Sequence, residues 1–471
     1  MYVEQLYTNC LAEAAYYIES NGEAAIIDPL RETEPYTELA KERGAQIKYI
    51  FETHFHADFV SGHIDLSKKT GAPIVFGPNA HPAFDAHIAE DGETFHIGDV
   101  IIKTLHTPGH TMESTTWLLI DEQGKEQAIF TGDTLFIGDV GRPDLAVKTD
   151  LSREDLAAHL FDSLHNKILT LADDVTVYPG HGAGSACGKN MSEETTDTLG
   201  NQKATNYALK EMSKADFVAK ITEGLTPPPQ YFPKNAVLNK TGYESIDHVM
   251  ERGLKPLDAK AFDVAVEQGA TILDTRDFKE YREGFIPGSM NISLDGMFAV
   301  WVGTLIEDLQ QPIVVVAPED RTEETVLRLA RVGYDNVVGY LQGGVEAFRA
   351  ASRNLEKMDW VEASQLKDWQ DKGYQILDVR KPGEFESQHI EGAINYPLDY
   401  INNPDIQLDK DGKYLVHCKT GYRAVAAMSL LLQQGFTHVV DVDGGFEAVL
   451  AEDILPVTEY VCPTSQAAES V

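Results

Sequence analysis

The second half of the chain contains an internal repeat, and this repeat is the strongest indication of the fold. The run LDTRDFKEYREGFIPGSMNISL, from Leu273, aligns without a gap on LDVRKPGEFESQHIEGAINYPL, from Leu377, so the copies lie 104 residues apart. Farther along, GYDNVVGYLQGGVEAF from Gly333 matches GFTHVVDVDGGFEAV from Gly435. Strand and helix patterns alternate in each copy, which favours a mainly parallel sheet. The repeat therefore predicts two small α/β domains related by duplication.

The first half has a different pattern. Short β runs such as AAYYIE, IKYIFETH and VTVYPGH alternate with helical segments such as SREDLAAHLFDSLHNKILTL, which predicts sheets covered by helices. The proline-rich segment LTPPPQYFPKNAVLNKTGY predicts an irregular tail packed on this domain. With 471 residues in all, we expect domains over 1–250, 251–355 and 356–456, then a disordered tail over 457–471.

Charge and cysteine usage exclude several classes of partner. A formal net charge of -36 opposes binding to nucleic acid or to anionic membranes. The N-terminus has no secretory pattern and no apolar stretch approaches about 18 residues, so we expect a cytoplasmic protein. The four cysteines, Cys10, Cys187, Cys418 and Cys462, lack C-x-x-C spacing, which argues against disulfides and structural zinc fingers.

A set of histidines and aspartates in the first half predicts a metal centre. The run THFHADFVSGH directly follows the apolar run IKYIFE, and a strand ending in His-x-His-x-Asp delivers several metal-competent side chains to one sheet edge. Three later candidates each follow a β run beside a glycine. The full set is His54, His56, Asp58, His110, Asp133 and His181.

These segments, in this order, resemble the metallo-β-lactamase superfamily over roughly residues 1 to 240. The resemblance implies an αββα sandwich with the metal at the sheet edge. Dinuclear hydrolases of that superfamily, including hydroxyacylglutathione hydrolase, carry a histidine directly after the motif aspartate, whereas this chain has Phe59. Because a phenyl ring cannot bind a metal, a second site would keep only Asp58, His181 and a shared Asp133. Two full zinc sites are therefore disfavoured.

A mononuclear centre suits iron chemistry. Two histidines and one carboxylate on one face of octahedral Fe(II) leave three positions for substrate and O₂, and His54, His110 and Asp133 can supply that set. Spacing alone does not exclude His56. The persulfide dioxygenases of the superfamily are similar in this respect. The resemblance implies these three ligands and one Fe(II) per chain, with His56, Asp58 and His181 orienting ligands and water.

Two further residues are candidates for contact with the substrate. The run GDVGRPDL also resembles the persulfide dioxygenases, and its Arg142 could bind the carboxylate of a thiol persulfide, or sulfite, through two donors. Alternatively, Arg142 pairs with Asp139 or Asp144. Cys187, in the glycine-rich run GAGSACGKN, either touches substrate or is a small packed residue.

The last copy of the repeat carries a candidate nucleophile. Cys418 ends a β run and Arg423 begins a helix, so the loop between them directs N–H groups and the helix N-terminus at the sulfur. We expect the nearby cations to depress the thiol pKa and to stabilise a bound persulfide. The predicted catalytic residues are Cys418 and Arg423, and the predicted substrate-binding residues are Lys419, Thr420, Gly421 and Tyr422.

Together with the upstream repeat, this loop resembles the rhodanese superfamily over about residues 358 to 455. Asp378 and Arg380 match the structural pair of that family, and Glu384, His389 and Gly392 fill the rest of its pattern. Related phosphatase loops are one residue longer, so the resemblance implies sulfur transfer.

In the middle copy, Ala317 stands where Cys418 stands in the last copy. Pro318, Glu319 and Asp320 replace the cationic, glycine-containing loop. Because both the nucleophile and the anion pocket are missing, we expect this domain to be a degenerate, structural rhodanese copy.

The combined pattern resembles bacterial persulfide dioxygenase/rhodanese fusion proteins of sulfide detoxification. The resemblance implies oxidation of a low-molecular-weight thiol persulfide by O₂ to sulfite, followed by transfer of sulfur through Cys418 to sulfite, giving thiosulfate. The expected partners are these small molecules, and the oligomeric state, including a homo-oligomer, stays open. The alternatives are a dinuclear zinc thioester hydrolase of the glyoxalase II type carrying rhodanese domains, and a non-enzymatic, sulfide-responsive scaffold.

Overall fold

The computed structural model describes residues 1–145, 151–189, 191–225, 228–403 and 407–461. It divides into two compact units. The first contains Met1–His248 together with Leu327–Tyr334, and the second contains Val249–Val326 and the residues from Asp335 onward. The short segment Leu327–Tyr334 thus groups with the first unit, although the repeat assigns it to the middle domain.

The first unit is built on two mixed sheets, each with six strands among the described residues. The first sheet runs in chain order through β1 (Tyr2–Thr8), β2 (Glu13–Ser20), β3 (Glu23–Ile27), β4 (Gln46–Phe51), β5 (Ile74–Phe76) and β6 (His87–Ile88). The second sheet, in the order β12-β11-β10-β9-β8-β7, contains β7 (Thr94–Ile97), β8 (Val100–His106), β9 (Thr115–Ile120), β10 (Glu126–Gly132), β11 (Thr176–Pro179) and β12 (Asp197–Thr198).

Helices cover the outer faces of both sheets. They are α1 (Glu34–Arg43), α2 (His63–Thr70), α3 (Arg153–Ser163), α4 (Leu199–Thr205) and α5 (Lys214–Thr222). Two further helices follow them, α6 (Phe232–Thr241) and α7 (Ile246–Gly253), and the second unit begins within α7 at Val249. Strand β2 shows the layering, because alternate side chains of a strand point to opposite faces. Tyr16 packs between the sheets with Trp117, whereas Tyr17 packs outward with Tyr36 of α1. On the far side, α3 and α5 pack on β9 and β10. This four-layer αββα order confirms the expected fold.

Helix α6 corrects the expectation that the proline-rich segment is irregular. Phe232–Thr241 is helical, with Pro233 in the first turn. A proline in the first turn of a helix costs little, since its missing N–H would lack an intrahelical acceptor there. The prolines therefore precede and start this helix without preventing it.

The second unit contains two sheets of the same design, each parallel and with five strands in the part of the chain that is described. The first has the order β13-β17-β16-β14-β15, and the second has the order β18-β22-β21-β19-β20. The strands are β13 (Pro256–Leu257), β14 (Thr271–Asp274), β15 (Met290–Asn291), β16 (Ile313–Val316), β17 (Val337–Leu341), β18 (Asp359–Glu362), β19 (Gln375–Asp378), β20 (Ile394–Asn395), β21 (Tyr414–His417) and β22 (Val439–Asp443). The shared strand order is what a duplication predicts.

Four helices of each copy correspond in order, and the middle copy has one more, Phe298–Leu305, among the described residues. Those of the middle copy are α8 (Ala259–Glu267), α9 (Phe278–Glu283), α10 (Phe298–Leu305), α11 (Thr322–Arg331) and α12 (Gly344–Ala350). Those of the last copy are α13 (Leu366–Gln370), α14 (Pro382–Ser387), α15 (Tyr422–Gln433) and α16 (Gly445–Glu452).

Both copies keep the same buried ion pair after their second strand. Arg276 Nη2 lies 2.6 Å from Asp274 Oδ2, and Arg380 Nη2 lies 2.6 Å from Asp378 Oδ2. Each guanidinium also donates to a backbone carbonyl eight residues farther along the chain. The fold-stabilising part of the repeat is therefore intact even where the nucleophile is absent.

The C-terminal segment differs from the predicted tail over 457–471. Val457 pairs with Ile390, and the backbone N–H of Val461 donates to the carbonyl of Ser387 at 2.8 Å. The segment 457–461 is thus held on the last domain, and residues 462–471, with Cys462, lie outside the described residues. Among the helices that are described, none is long and apolar enough to cross a bilayer.

Candidate functional site

Three loops at one edge of the αββα sandwich bring His54, His110 and Asp133 together. His54 follows β4, His110 lies between β8 and β9, and Asp133 follows β10. Asp133 Oδ2 lies 3.4 Å from His110 Nε2 and 3.9 Å from His54 Nε2, and all three side chains are buried. Their ligand atoms fall within 4.8 Å of one another, which is the spacing that a single metal ion requires.

Unpartnered polar atoms indicate that this cluster suits a cation. Neither carboxylate oxygen of Asp133 has a hydrogen-bond partner, although both are buried. A buried carboxylate without partners is costly unless a cation balances it. Glycines make room for it, since a Cβ on Gly141 would lie 1.9 Å from the Asp133 carbonyl oxygen and one on Gly180 would lie 2.9 Å from Asp133 Oδ1. The donor set of two imidazoles and a carboxylate fits both ferrous iron and zinc.

Hydrogen bonds fix which ring nitrogen each histidine presents. His110 Nδ1 lies 2.8 Å from the carbonyl oxygen of Arg142, which only accepts, so Nδ1 carries the proton. For His54, Thr53 Oγ1 donates to Asp28 Oδ2 at 2.8 Å and accepts from His54 Nδ1 at 3.0 Å. Both histidines therefore present an unprotonated Nε2 to the centre. Sequence reasoning missed Asp28 and Thr53, although Asp28 stands at the end of the apolar run AAII, where strand-end ligand partners are found.

Burial also favours neutral imidazole at this centre. Burial lowers the pKa of His54 well below its ordinary value, and the neighbouring rings of His56, His110 and His181 lower it further. A neutral imidazole is the form that binds a metal.

His56, Asp58 and His181 form a second cluster beside the first. His181 Nε2 lies 3.4 Å from Asp58 Oδ2 and 3.5 Å from Asp133 Oδ1, while its Nδ1 lies 3.3 Å from the Ala12 carbonyl oxygen. Although burial acts in the opposite direction, the carboxylates of Asp133 and Asp58 raise the pKa of His181. His56 also contacts another acid, with Nε2 3.1 Å from Asp28 Oδ1.

Phe59 is fully buried and takes no part in either cluster as a donor. Its ring packs on that of His56 at a centroid distance of 4.4 Å. Asn239 of α6 holds the same loop, since its Nδ2 donates to the carbonyl oxygens of His56 and Phe59 at 2.8 and 2.7 Å. Its Oδ1 accepts from the backbone N–H of Ser61. No local sequence pattern points to Asn239, because about 180 residues separate it from the loop that it holds.

Arg142 and Cys187 border the centre. The guanidinium of Arg142 pairs through two bonds with Asp144, at 2.6 and 2.7 Å, as the alternative interpretation expected. The backbone carbonyl oxygen of Arg142 accepts the hydrogen bond from His110 Nδ1. Cys187 is a buried free thiol within 4.8 Å of the ligand atoms of Asp133 and His181. Burial, then the charges of Asp58 and Asp133, raises the pKa of Cys187 well above its ordinary value.

The loop of the last domain surrounds Cys418, which directly follows β21 and is buried. The backbone N–H of Gly421 donates to Cys418 Sγ at 3.1 Å. Both predicted cations are paired with carboxylates. Arg423 contacts Glu384 at 2.6 and 2.9 Å, and Lys419 lies 3.5 Å from Glu447 Oε1 on the surface.

Two other predicted members of this loop differ in their exposure. Thr420 is exposed, whereas Tyr422 is half-buried and its hydroxyl donates to the Ser293 carbonyl oxygen at 3.0 Å. Backbone dipoles at the start of α15 add positive potential at the sulfur beside these paired cations.

The corresponding loop of the middle domain follows β16. Ala317 is buried at the position of the nucleophile, and Glu319 and Asp320 are exposed. The cation of this loop, Arg321, pairs with Glu324 and Asp295. No side chain from Ala317 to Arg321 offers a thiol.

Family models match three separate stretches of the chain. Residues 8–181 match the metallo-beta-lactamase superfamily, and residues 258–351 and 362–452 each match the rhodanese-like domain. The two matches to the rhodanese-like domain coincide with the two copies of the repeat.

Individual relatives include both an oxygenase and a hydrolase. The chain is 35% identical over 176 residues to the mitochondrial persulfide dioxygenase ETHE1 of Homo sapiens, covering 37% of this chain and 65% of that protein. It is 32% identical over 166 residues to a probable hydroxyacylglutathione hydrolase of Schizosaccharomyces pombe, covering 35% of this chain and 60% of that protein. This chain thus spans slightly less than two thirds of each.

One solved structure extends beyond the first domain. A metallo-beta-lactamase from Staphylococcus aureus is 31% identical, with a TM-score of 0.64, and the match covers 72% of this chain and 98% of that one.

Proposed function

Because the chain belongs to the metallo-beta-lactamase superfamily and carries two rhodanese-like domains, we propose that it is an iron-dependent persulfide dioxygenase joined to a sulfurtransferase. The observation that carries the proposal is the convergence of His54, His110 and Asp133 on one point, beside a buried Phe59 where a further metal ligand would stand. Three ligands on one face of an octahedral ferrous ion would leave its other coordination positions for a persulfide and O₂.

The first reaction converts R–S–SH, O₂ and H₂O into R–SH, SO₃²⁻ and two protons. The outer sulfur is oxidised and O₂ is reduced, so no other electron donor is required. Ferrous iron in this site supplies the one-electron steps that allow O₂ to react with a closed-shell persulfide. The side chains of the protein hold the ligand nitrogens in the required protonation state and exclude bulk water.

Residues around the centre have proposed supporting roles. His56, Asp58 and His181 orient ligands and water through the buried contacts described above. Arg142 binds the carboxylate of the thiol or the sulfite product, in competition with Asp144, which holds its guanidinium in the structure.

The second reaction takes place at Cys418. Its thiolate attacks the outer sulfur of a second persulfide, forming Cys418–S–SH and releasing R–S⁻. Sulfite then attacks the outer sulfur of the cysteine persulfide, so thiosulfate leaves and the thiolate returns. The Gly421 N–H stabilises the anionic sulfur in both steps. Arg423, held by Glu384, contributes positive potential to the incoming sulfite.

A zinc-dependent thioester hydrolase is the second candidate. Two observations favour it: hydroxyacylglutathione hydrolases are among the relatives, and His181 lies between Asp58 and the second carboxylate oxygen of Asp133. Phe59 argues against it, because it removes one ligand from the second metal position.

The decisive experiment measures metal and oxygen together. For protein purified without O₂, we expect about one iron per chain and O₂ uptake on addition of a thiol persulfide. We expect His110→Ala to lose the iron and to lower the rate of O₂ uptake at least ~100-fold, since the substitution removes a metal ligand. His87→Ala, which removes an exposed histidine paired with Glu93, is the matched control. Two tightly bound zinc ions per chain, with thioester hydrolysis, would contradict the proposal.

A further inference from the structure

The degenerate middle domain contacts the Cys418 loop directly. The Tyr422 hydroxyl donates to the carbonyl oxygen of Ser293. The Tyr422 ring packs on Gly296, since a Cβ added to Gly296 would lie 3.1 Å from Tyr422 Cε2. Two turns farther along α15, Ser429 Oγ accepts from the backbone N–H of Asn291 at 3.2 Å. Residues seven apart share one face of a helix. The helix whose N-terminus faces the sulfur therefore lies along the middle domain.

Phe278 contacts the loop at Gly421, the residue whose N–H donates to the sulfur. A Cβ on Gly421 would lie 2.8 Å from Phe278 Cε2, so the ring packs directly on the glycine backbone. Gly421 has a φ of +121°, a conformation that other residues rarely adopt, and its N–H is the donor to Cys418 Sγ. The aromatic ring thus covers the peptide that holds the sulfur in place.

A buried ion pair anchors the other side of the same loop. Arg282 of α9 contacts Asp441 Oδ2 at 2.7 Å and Asp443 Oδ1 at 2.9 Å, and its guanidinium lies 4.5 Å from the Trp360 ring centroid. Both aspartates belong to β22, which leads into α16. The N–H of Phe446, at the start of that helix, donates to the Cys418 carbonyl oxygen at 2.8 Å.

We propose that the middle domain is a working part of the sulfur-transfer site and that Phe278 is a positioning residue for the Cys418 loop. This inference rests on the proposed sulfurtransferase reaction and gives the copy without a nucleophile a role in it. Phe278 acts through Gly421, and Arg282 acts through β22 and the start of α16. Together they fix the N–H donor that stabilises the anionic sulfur.

The test uses the full-length chain and three substitutions. Phe278→Ala removes the ring, Phe278→Leu restores apolar bulk, and Tyr340→Ala removes a half-buried aromatic side chain from β17 of the same domain as a control for general destabilisation. The readouts are kcat and KM for thiosulfate formation from sulfite and a persulfide, and the pH dependence of Cys418 alkylation, followed by mass spectrometry of its peptide.

For Phe278→Ala we expect kcat to fall roughly tenfold and the alkylation profile of Cys418 to move to higher pH, because the N–H donor is less well fixed. Phe278→Leu should recover most of the activity, and Tyr340→Ala should retain the wild-type values. Equal losses in Phe278→Ala and Tyr340→Ala, or an unchanged alkylation profile, would overturn the inference. If the wild type formed no thiosulfate, the proposed function would fail, whereas the alkylation profile would still report on Phe278.

Discussion

His54 illustrates how single residues set up the proposed chemistry. Its Nδ1 is committed to Thr53, which is itself held by Asp28, so only Nε2 faces the centre. His110 reaches the same state through a backbone carbonyl. Two unrelated partners thus give the same tautomer, which a metal ligand needs.

Replacement of the nucleophile separates the two proposed reactions. We expect Cys418→Ser to leave persulfide-dependent O₂ uptake largely in place and to reduce thiosulfate formation at least ~100-fold, since a hydroxyl is a far weaker nucleophile than a thiolate. Sulfite should then accumulate in amounts close to the O₂ consumed. Ion chromatography of sulfite and thiosulfate over the reaction measures this.

Cys10→Ser is the control for that experiment, because Cys10 is also a thiol outside any disulfide, although it is partly exposed whereas Cys418 is buried. Undiminished thiosulfate from Cys418→Ser would show that transfer occurs elsewhere, and Cys187, beside the proposed iron ligands, would be the first residue to test.

The sequence predicts the residues that bear the chemistry better than those that hold them. His54, His110 and Asp133 stand in strand-end motifs, and the structure brings them together, although their assignment as iron ligands stays a prediction. Asp28 and Asn239 contact the metal loop from 25 and about 180 residues away. No local pattern encodes such contacts, because they depend on how distant elements pack.

At the level of elements, strands were easier to predict than helices near proline. The apolar runs AAYYIE and TTWLLI both became strands, since their alternate residues are buried on one or both sheet faces. The proline-rich pattern does not predict helix α6, because prolines usually break helices, whereas Pro233 lies where a helix tolerates it. Strands β6 and β12 have two residues each, too few for a periodic signal.

The loop after β16 provides a test of what a sulfur-binding element requires. We expect Ala317→Cys, made together with Cys418→Ser, to show no thiosulfate:cyanide sulfurtransferase activity above that of Cys418→Ser alone. The new thiol would lie near the carboxylates of Glu319 and Asp320, and negative charge raises the cost of an anionic sulfur. A coupled assay for thiocyanate measures the outcome.

The wild-type chain is the positive control, since Cys418 with its Gly421 donor should be active in the same assay. Activity in the double variant comparable to that of the wild type would mean that a thiol alone suffices and that the loop sequence is irrelevant.

At the scale of the whole molecule, the repeat predicted the architecture well. Both copies have the same strand order and the same buried Asp–Arg pair. The repeat could not predict that Leu327–Tyr334 would group with the first unit, where the Ala330 carbonyl oxygen accepts from Arg31 Nη1 at 2.6 Å. A repeated sequence predicts repeated local structure, but it does not predict the contact between Arg31 and Ala330.

The presence of both proposed active sites in one chain has a measurable consequence. A mixture of His110→Ala, which keeps Cys418, and Cys418→Ser, which keeps the metal ligands, should form thiosulfate only through sulfite free in solution. The wild-type chain should resist added sulfite oxidase better than this mixture, because tethering raises the effective concentration at the second site. Thiosulfate yield at increasing amounts of the trapping enzyme measures the difference. Identical sensitivity would mean that fusion gives no kinetic advantage.

The packing of Phe278 on Gly421 also has an evolutionary consequence. A duplicated domain that loses its nucleophile is usually free to drift, limited only by the need to fold. Under the proposed mechanism, one face of the middle copy remains under the selection that acts on the Cys418 loop, because Phe278 packs on the residue whose N–H donates to the sulfur. We therefore expect substitutions at positions 278 and 421 to arise together among descendants of this gene, while the exposed residues after Ala317 vary freely.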